Sequence, residues 1–297
     1  MEAELLKRIR SMPGTELIGD DAAVIGDKIV TVDMLTEGVD FILAKTDPTW
    51  IGRKALAANL SDIAAMGGEP QWIFVAVALP KNGALELAEQ LLAGMEPLIN
   101  KYNLVLAGGD TNTWDGGLVV SITVIGCVSE RGVLRRGGGK AGDRLLVTGK
   151  LGGSILQHQF VFEPRIEEAL FLNRHYTIHS AIDISDGLTL DLHRLATECR
   201  LGATLIESAI PITEDAEKLS QKSGCSPLEH ALSDGEDFEL LFSLAPQEAK
   251  DLLSLQPFQT TSGVTLYDIG ELTAEPGLRM ATADGNTKPL KPLGFEH

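Results

Sequence analysis

The sequence has few of the residues that mark several large classes of protein. It contains three cysteines, Cys127, Cys199 and Cys225, and no C-x-x-C pair. This odd, widely spaced set favours reduced thiols in a cytoplasmic protein over a disulfide framework or a zinc site. We find no apolar run of about 18 residues and no charged-then-apolar leader, so we expect neither a membrane span nor a signal peptide.

Positive charge is also scarce. Lys and Arg number 25 against 42 Asp and Glu, which gives a formal net charge of −17. Because phosphate backbones bind basic surfaces, this balance argues against nucleic acid as the main partner, and equally against an anionic membrane surface. An anionic substrate would need a local source of positive charge, and metal ions are the obvious one.

The remaining composition is that of a globular protein, with 297 residues, 44% hydrophobic and 23% charged. This length allows one large domain or two of ordinary size. Strand and helix patterns alternate in the second half, which predicts an α/β fold. Residues 131–143, the basic loop, combine Arg135, Arg136 and Lys140 with several glycines. We place the domain boundary there and predict domains 1–136 and 137–297.

One stretch, Asp183-Ile184-Ser185-Asp186-Gly187, stands at the centre of the functional interpretation. Its two carboxylates beside a helix start could bind a hard cation, while the first-turn N–H groups could meet an anion. Alternatively, Asp186 is only the N-cap of the helix. In that helix the leucines recur at helical spacing, and we expect Asp191 and Arg194 to face away from the apolar side.

Further acidic residues stand at the ends of predicted elements. A helix should start at Asp47-Pro48 and run to about Ala65, with Asn59 and Asp62 on one face. The acids of interest are Asp20, Asp21, Asp33, Asp62, Asp110, Asp183, Asp186 and Glu236. If they converge, they cannot all be ionised without cations. Oxygen ligands without His or Cys select Mg²⁺, Mn²⁺ or Ca²⁺.

A glycine pair points to phosphate binding. A buried strand predicted at 103–107 leads into Gly108-Gly109-Asp110, where the backbone could approach a phosphate and Asp110 could hold its magnesium. This is not a Walker A loop, and a tight turn is the alternative. With the basic loop, these features describe a phosphoryl-transfer site. We find no strong Ser–His–Asp or Cys–His nucleophile, so acyl transfer is poorly supported.

Taken together, the motifs resemble the thiamine-monophosphate kinase family, part of the aminoimidazole ribonucleotide synthetase-like superfamily of ATP-using enzymes. They occur in the order I-G-D-D-A-A, T-V-D, N-L-S-D-I-A-A-M-G, A-G-G-D-T, R-x-G-x-K-x-G-D, A-I-D-I-S-D-G-L and G-E-D-F-E-L. The resemblance covers the chain from Ile18 to Phe295. It implies a two-domain α/β (α+β) fold in which the N-terminal sheets of two subunits pair into a barrel across a homodimer.

The resemblance also implies an activity and a set of site residues. The activity is transfer of the ATP γ-phosphoryl group to thiamine phosphate, giving thiamine diphosphate, with several Mg²⁺ ions. Asp33, Asp110 and Asp186 would be catalytic, and the ATP contacts would be Gly109, Asp110, Arg136 and Ser185. The substrate contacts would be Asp40, Glu236 and Phe295. The metal ligands would be Asp21, Thr31, Val32, Asp33, Asp62, Asp110, Asp183 and Asp186.

Three positions depart from the family pattern. Asp40 stands where His is usual, Val32 where a hydroxyl residue is common, and Asp234 where Gly is usual. Two alternatives remain open: another ATP-using member of the superfamily, such as an aminoimidazole ribonucleotide synthetase, or a catalytically idle nucleotide-binding relative. Selenophosphate synthetase and the hydrogenase-maturation carbamoyl dehydratase are disfavoured, because they need terminal cysteines and the outermost cysteines here are Cys127 and Cys225.

Overall fold

The computed structural model describes residues 2–295 and has a mixed α/β architecture built on two sheets. The elements of the N-terminal part are α1 (Glu2–Arg10), β1 (Ala23–Ile25), β2 (Lys28–Thr36), α2 (Pro48–Ala65), β3 (Glu69–Pro80), α3 (Ala84–Lys101), β4 (Val105–Trp114) and β5 (Val119–Cys127). In the part of the chain that the structure describes, these five strands form a sheet in the order β1-β2-β5-β3-β4. Only β3 and β4 run parallel, so the sheet is mostly antiparallel.

The second sheet is built by the C-terminal part. Its elements are β6 (Arg144–Thr148), α4 (His158–Val161), α5 (Ile166–His175), β7 (Ile178–Asp183), α6 (Leu188–Glu198), β8 (Gly202–Ile206), α7 (Glu214–Ser223), α8 (Pro227–Ser233), β9 (Leu240–Leu244), α9 (Pro246–Leu255), β10 (Leu266–Thr273), β11 (Gly277–Ala281) and β12 (Thr287–Leu290). Within residues 2–295 the strand order is β12-β11-β8-β10-β6-β9-β7. The predicted α/β fold is confirmed, while the boundary at 136/137 stays a prediction.

Helix α2 is the central element between the two parts. It starts as predicted, with Asp47 Oδ1 accepting from the Thr49 N–H at 2.9 Å and Pro48 in the first turn. The helix contacts β2 and β5 on one side and α4, α5 and β7 on the other. It is therefore enclosed by both domains, which explains why it is apolar nearly all round.

Helix α3 runs from Ala84 through Pro97 to Lys101. It packs closely on α2 at Gly94. A Cβ atom at Gly94 would lie 1.8 Å from the Thr49 carbonyl oxygen, so the two backbones can approach this closely only because the residue is glycine.

Strand β4 corrects two predictions. It does not end before the glycine pair but continues through Gly108, Gly109 and Asp110 to Trp114. All of its residues are exposed in the single chain, whereas the sequence predicted a buried strand. The register with β3 shifts between Ile73 and Phe74, so a bulge, not a turn, precedes the glycines. Bulges of this kind are common beside functional sites.

In the described residues, no helix is long and apolar enough to cross a membrane.

Candidate active site

Three carboxylates converge where the two domains meet. Asp21 lies in the loop before β1, Asp62 on α2, and Asp183 at the end of β7. One oxygen from each lies within 4.8 Å of the others. We call these three residues the acidic cluster. Of the eight acids of interest, the structure brings Asp21, Asp62 and Asp183 together.

Polar neighbours hold the acidic cluster in place. The Thr31 hydroxyl donates a short hydrogen bond to Asp62, and the Ser61 hydroxyl donates to Asp183 Oδ2 at 2.6 Å. Asn59 Oδ1 accepts the Asp33 N–H at 3.2 Å, so the polar face of α2 lies against β2. Ser61 is a residue the sequence reasoning missed, although it stands between Asn59 and Asp62.

The pKa values of several acids at this site are raised above their ordinary values. Burial, followed by repulsion from Asp33 and Asp183, raises the pKa of Asp62 well above its ordinary value. Burial and the Asp21 carboxylate act in the same direction on the pKa of Asp183. For Asp33, burial and the nearby Asp186 raise the pKa to about 6. Converging carboxylates with raised pKa values fit a site for hard divalent cations, which would offset the repulsion.

The basic loop closes one side of the cluster. Arg136 donates to Asp21 Oδ1 at 2.7 Å, and Arg135 donates to Asp20 at 2.6 Å. Burial works against the Arg136 charge, but the Asp21 and Asp183 carboxylates outweigh it and raise the pKa of the guanidinium. Arg136 therefore stays cationic beside the acids, where it can contact a phosphate.

The motif at 183–187 does not adopt the N-cap arrangement that was the alternative to cation binding. The N-cap of α6 is Gly187, so Asp186 does not cap the helix. Asp191 is not facing away: it is buried and accepts from the N–H groups of Asp186 and Gly187 at 2.9 and 3.1 Å. Arg194 donates to Asp186 at 2.5 Å and to Asp191 at 2.8 Å. An acid four residues after the glycine was the signal available in the sequence.

A second acidic turn, residues 233–239, lies against the first. The Glu236 N–H donates to the Ser185 carbonyl at 2.7 Å, and the Phe238 N–H to that of Ile184 at 2.8 Å. A Cβ atom at Gly235 would lie 2.8 Å from the Ser185 carbonyl oxygen, and its φ is 74°. Only glycine fits this crossing, so the G-E-D segment is fixed against the 183–187 motif.

Asp234, which departs from the family pattern, belongs to a hydrogen-bonded chain of side chains that holds residues 233–239. Ser223 Oγ lies 2.7 Å from His230 Nε2, and His230 Nδ1 lies 2.8 Å from Asp234 Oδ1. A Ser–His–Asp chain therefore exists that the sequence reasoning did not find. Asp234 Oδ2 also accepts the Gly153 N–H at 2.8 Å, and Ser223 Oγ accepts the Cys225 N–H at 3.2 Å. These contacts indicate that the Ser–His–Asp chain anchors residues 233–239.

Lys54 is the main site residue that the sequence reasoning missed. It is fully buried on α2, and its ammonium forms a close ion pair with Glu236. Asp40, predicted to contact substrate, is held through one oxygen, because Oδ2 accepts the Thr36 N–H at 2.6 Å. The signal available in the sequence was a lysine, preceded by Arg53, directly before the apolar run from Ala55 to Ala58.

Two predicted residues, Gly109 and Asp110, lie apart from the cluster within one chain. Asp110 is on the edge strand β4, three strands and about 14 Å from β2 at the usual strand spacing. Register places it in a row with Ala76 and Met34, the row next to that of Asp33. A single chain therefore does not bring Asp110 or Gly109 to the acidic cluster. Val32 is 63% exposed, with its side chain on the outer sheet face.

Phe295 lies close to the central motif. Its N–H donates to the Asp186 carbonyl at 2.9 Å, and its side chain is half exposed. The C-terminal segment therefore returns to the start of α6, beside the predicted ATP and metal residues.

Comparison with known proteins agrees with this geometry. Family models described as AIR synthase related protein, N-terminal and C-terminal domain, match residues 19–128 and 137–282. A thiamine-monophosphate kinase from Rhodopirellula baltica is 41% identical over 99% of this chain and 95% of its own length. The chain belongs to the thiamine-monophosphate kinase family. The family assignment inferred from the motifs, the two-domain fold and the classification as a kinase are therefore confirmed.

Solved structures of the family share the fold. One described as AaThiL complexed with AMPPCP and TMP has a TM-score of 0.85 at 26% identity and covers 100% of this chain and 96% of its own. The thiamine-monophosphate kinase from Stenotrophomonas maltophilia has a TM-score of 0.76 at 30% identity, covering 96% and 94%. The match extends over both sheets.

Proposed function

We propose that this protein transfers the γ-phosphoryl group of ATP to thiamine phosphate, giving thiamine diphosphate and ADP. The observation that carries the proposal is the acidic cluster closed by Arg136 at the junction of the two domains. Family membership supports it, because the similar proteins are named for this activity. Phosphoryl transfer depends mainly on positioning and charge stabilisation, and this site offers both.

Magnesium is the cation that best suits the carboxylate set. Asp21, Asp62 and Asp183 would hold it, with Asp33, Asp186, Thr31 and the Val32 carbonyl completing the ligands. Bound Mg²⁺ would neutralise charge on the transferring phosphoryl group and orient its oxygens. The chain itself contributes fixed carboxylates, because Ser61 and Thr31 restrain two of them through hydrogen bonds.

Arg136 and Ser185 are the proposed ATP contacts within one chain. The Arg136 guanidinium already donates to Asp21, and a guanidinium can bind a phosphate oxygen with its other N–H groups. Glu236, Asp40 and Phe295 would receive the thiamine moiety. The acids suit its cationic and amino groups, and the aromatic ring suits stacking.

The transfer step needs no base from the protein. An oxygen of the thiamine phosphate attacks the γ-phosphorus, a new P–O bond forms, and the bond to the β-phosphate oxygen breaks. A phosphate monoester has a second pKa of about 6, so the attacking oxygen is already ionised at neutral pH. This agrees with a site made of carboxylates and arginine in which no side chain must remove a proton.

We further propose that the protein is a homodimer through the N-terminal sheet. The outer face of this sheet exposes Val32, Met34 and Phe74 at 63%, 61% and 37%, and among residues 2–295 no further strand pairs with β4 at the end of the sheet. Apolar faces and open edges of this kind favour pairing with a second copy. Asp110 and Gly109 lie on that edge, so in a dimer they would serve the acidic cluster of the partner.

A direct assay tests the proposed activity. Purified protein with ATP and Mg²⁺ should convert thiamine phosphate to thiamine diphosphate, and EDTA should abolish the reaction. Thiamine and an aminoimidazole precursor serve as competing acceptors. Turnover of the precursor alone would favour the superfamily alternative, and nucleotide binding without any turnover would favour the idle relative.

A further inference from the structure

Lys54 is a buried cation with a complete set of partners. Its side chain is 1% exposed. The ammonium pairs with a Glu236 carboxylate oxygen, donates to Gln159 Oε1 at 2.7 Å and donates to the Asp40 carbonyl at 3.1 Å. An ammonium has three hydrogens, so each of them has an acceptor. Removing such a charge from water is costly unless it is fully paired.

The partners of Lys54 come from separate parts of the chain. Asp40 follows β2, Gln159 lies in α4, and Glu236 lies in the turn before β9. Lys54 itself lies on α2, between the two domains. Phe160 covers the ammonium, with its ring centroid 5.2 Å from Nζ. This one side chain therefore fixes the two acidic segments beside which the thiamine moiety is proposed to bind.

Glu236 is held in a conformation that needs support. Its φ is 55°, a left-handed backbone conformation that non-glycine residues seldom adopt. Its side chain is 34% exposed, so part of the carboxylate remains accessible while Lys54 occupies Oε1. Asp40 and Asp186 surround it with further negative charge. The Lys54 ammonium is the cation in direct contact with Glu236.

We propose that Lys54 is the positioning residue of the acceptor pocket. It fixes the Glu236 carboxylate beside the Asp40 segment, so that the accessible oxygen receives the amino or cationic part of thiamine phosphate. This inference rests on the proposed function. In the described residues, the polar partners of Lys54 include neither the proposed ATP contacts nor the acidic cluster, so its effect should fall on the acceptor substrate.

The test separates positioning from a general structural role. Lys54→Met removes the charge at similar volume, and we expect KM for thiamine phosphate to rise at least tenfold. KM for ATP should stay within about twofold of the wild type. In the double variant Lys54→Met/Glu236→Gln, KM for thiamine phosphate should be no higher than in Glu236→Gln alone, because Lys54 acts through Glu236.

A neighbouring ion pair provides the matched control. Arg53 is also on α2 and joins it to the C-terminal part through Glu163 at 3.2 Å and the Phe162 carbonyl at 2.7 Å. Arg53→Met therefore loosens the same domain junction without touching Glu236. We expect it to leave KM for thiamine phosphate unchanged. Equal rises in Arg53→Met and Lys54→Met would mean that Lys54 only joins the domains, and would overturn the proposal.

A second variant covers the case in which Lys54→Met does not fold. Gln159→Leu removes one acceptor of the Lys54 ammonium and keeps its ion pair with Glu236, so Lys54 should hold the Glu236 carboxylate less firmly. KM for thiamine phosphate should therefore rise about threefold, while KM for ATP stays constant. An unchanged KM for thiamine phosphate would refute positioning by Lys54. A wild-type protein that does not phosphorylate thiamine phosphate at all would instead refute the proposed function, so the two failures are distinguishable.

Discussion

At the scale of single residues, the carboxylates of the acidic cluster repel one another. Asp62 shows how position decides its role: it lies on a buried helix and accepts from Thr31, yet it shares its site with Asp21 and Asp183. If Asp62 served only packing, neutralising it would destabilise the protein. If Asp62 serves cation binding, neutralising it in the absence of the cation should instead relieve repulsion between the carboxylates.

The substitution Asp62→Asn tests this distinction. With EDTA, Tm of the variant should equal or exceed that of the wild type, because one repelling charge is gone. Mg²⁺ with a non-hydrolysable ATP analogue should stabilise the wild type by about 2.7 kcal/mol at a hundredfold excess over Kd. The shift should be much smaller in the variant. Equal ligand-induced shifts in both proteins would exclude Asp62 from the metal site.

The raised pKa values of Asp33, Asp62 and Asp183 predict a pH dependence of stability. Their folded values lie above the ordinary value, so between about pH 4 and 6 the native state binds more protons than the unfolded state. The free energy of unfolding therefore falls as pH rises through this window. In EDTA, Tm should be higher at pH 5 than at pH 8, and Mg²⁺ should reduce the difference.

Two neutralised variants provide the controls for the pH experiment. Asp62→Asn should flatten the fall of Tm, because it removes one of the repelling acids. Asp251→Asn removes the same charge from the exposed surface of α9 and should leave the fall unchanged. A Tm that stays constant or rises between pH 5 and pH 8 in EDTA would contradict the raised pKa values.

At the scale of elements, α2 depends on close contact with α3. Replacing glycine by alanine inside a helix normally stabilises a protein by roughly 0.5–1 kcal/mol. At Gly94 the added Cβ would lie 1.8 Å from the Thr49 carbonyl oxygen, so the helices would have to separate. We expect Gly94→Ala to destabilise the protein by about 1–3 kcal/mol in urea unfolding.

Ala93, next to Gly94 on the exposed side of α3, gives the opposite comparison. Ala93→Gly should cost about 1 kcal/mol, from helix propensity alone. Stabilisation of the protein by Gly94→Ala would contradict the close approach of α2 and α3.

At the scale of the whole molecule, the position of Asp110 predicts activity shared between subunits. Asp110→Asn and Asp62→Asn should each be nearly inactive as homodimers. If Asp110 serves the partner's cluster, a heterodimer of the two variants has one intact site and one doubly altered site. Random mixing should then restore about a quarter of the wild-type activity.

Two observations would contradict this arrangement. A mixture that stays inactive, while co-purification of two differently tagged subunits shows exchanged dimers, would place Asp110 in the site of its own chain. A monomer mass at micromolar concentration would contradict the dimer itself. Met34→Lys, on the exposed sheet face, should weaken the dimer and serves as the control for subunit exchange.

Local sequence determined much of the fold and the types of residue at the site. The cap at Asp47-Pro48, the shared face of Asn59 and Asp62, and the alternation of strands and helices were readable because they depend on contacts within a few residues. The motif order was enough to assign the family. The acidic turns beside glycine marked Asp21 and Asp183 as candidate ligands, but the sequence did not establish which of the candidate acids meet.

Only the tertiary structure decided which groups meet. The burial of Lys54 and its pairing with Glu236 join residues 182 positions apart (54 to 236), and no local pattern encodes such a contact. The inward position of Asp191, the exposure of β4 and the distance of Asp110 from the cluster depend on how sheets and helices pack. Strand pairing and helix packing are set by the whole buried surface, so propensity and spacing could not fix them.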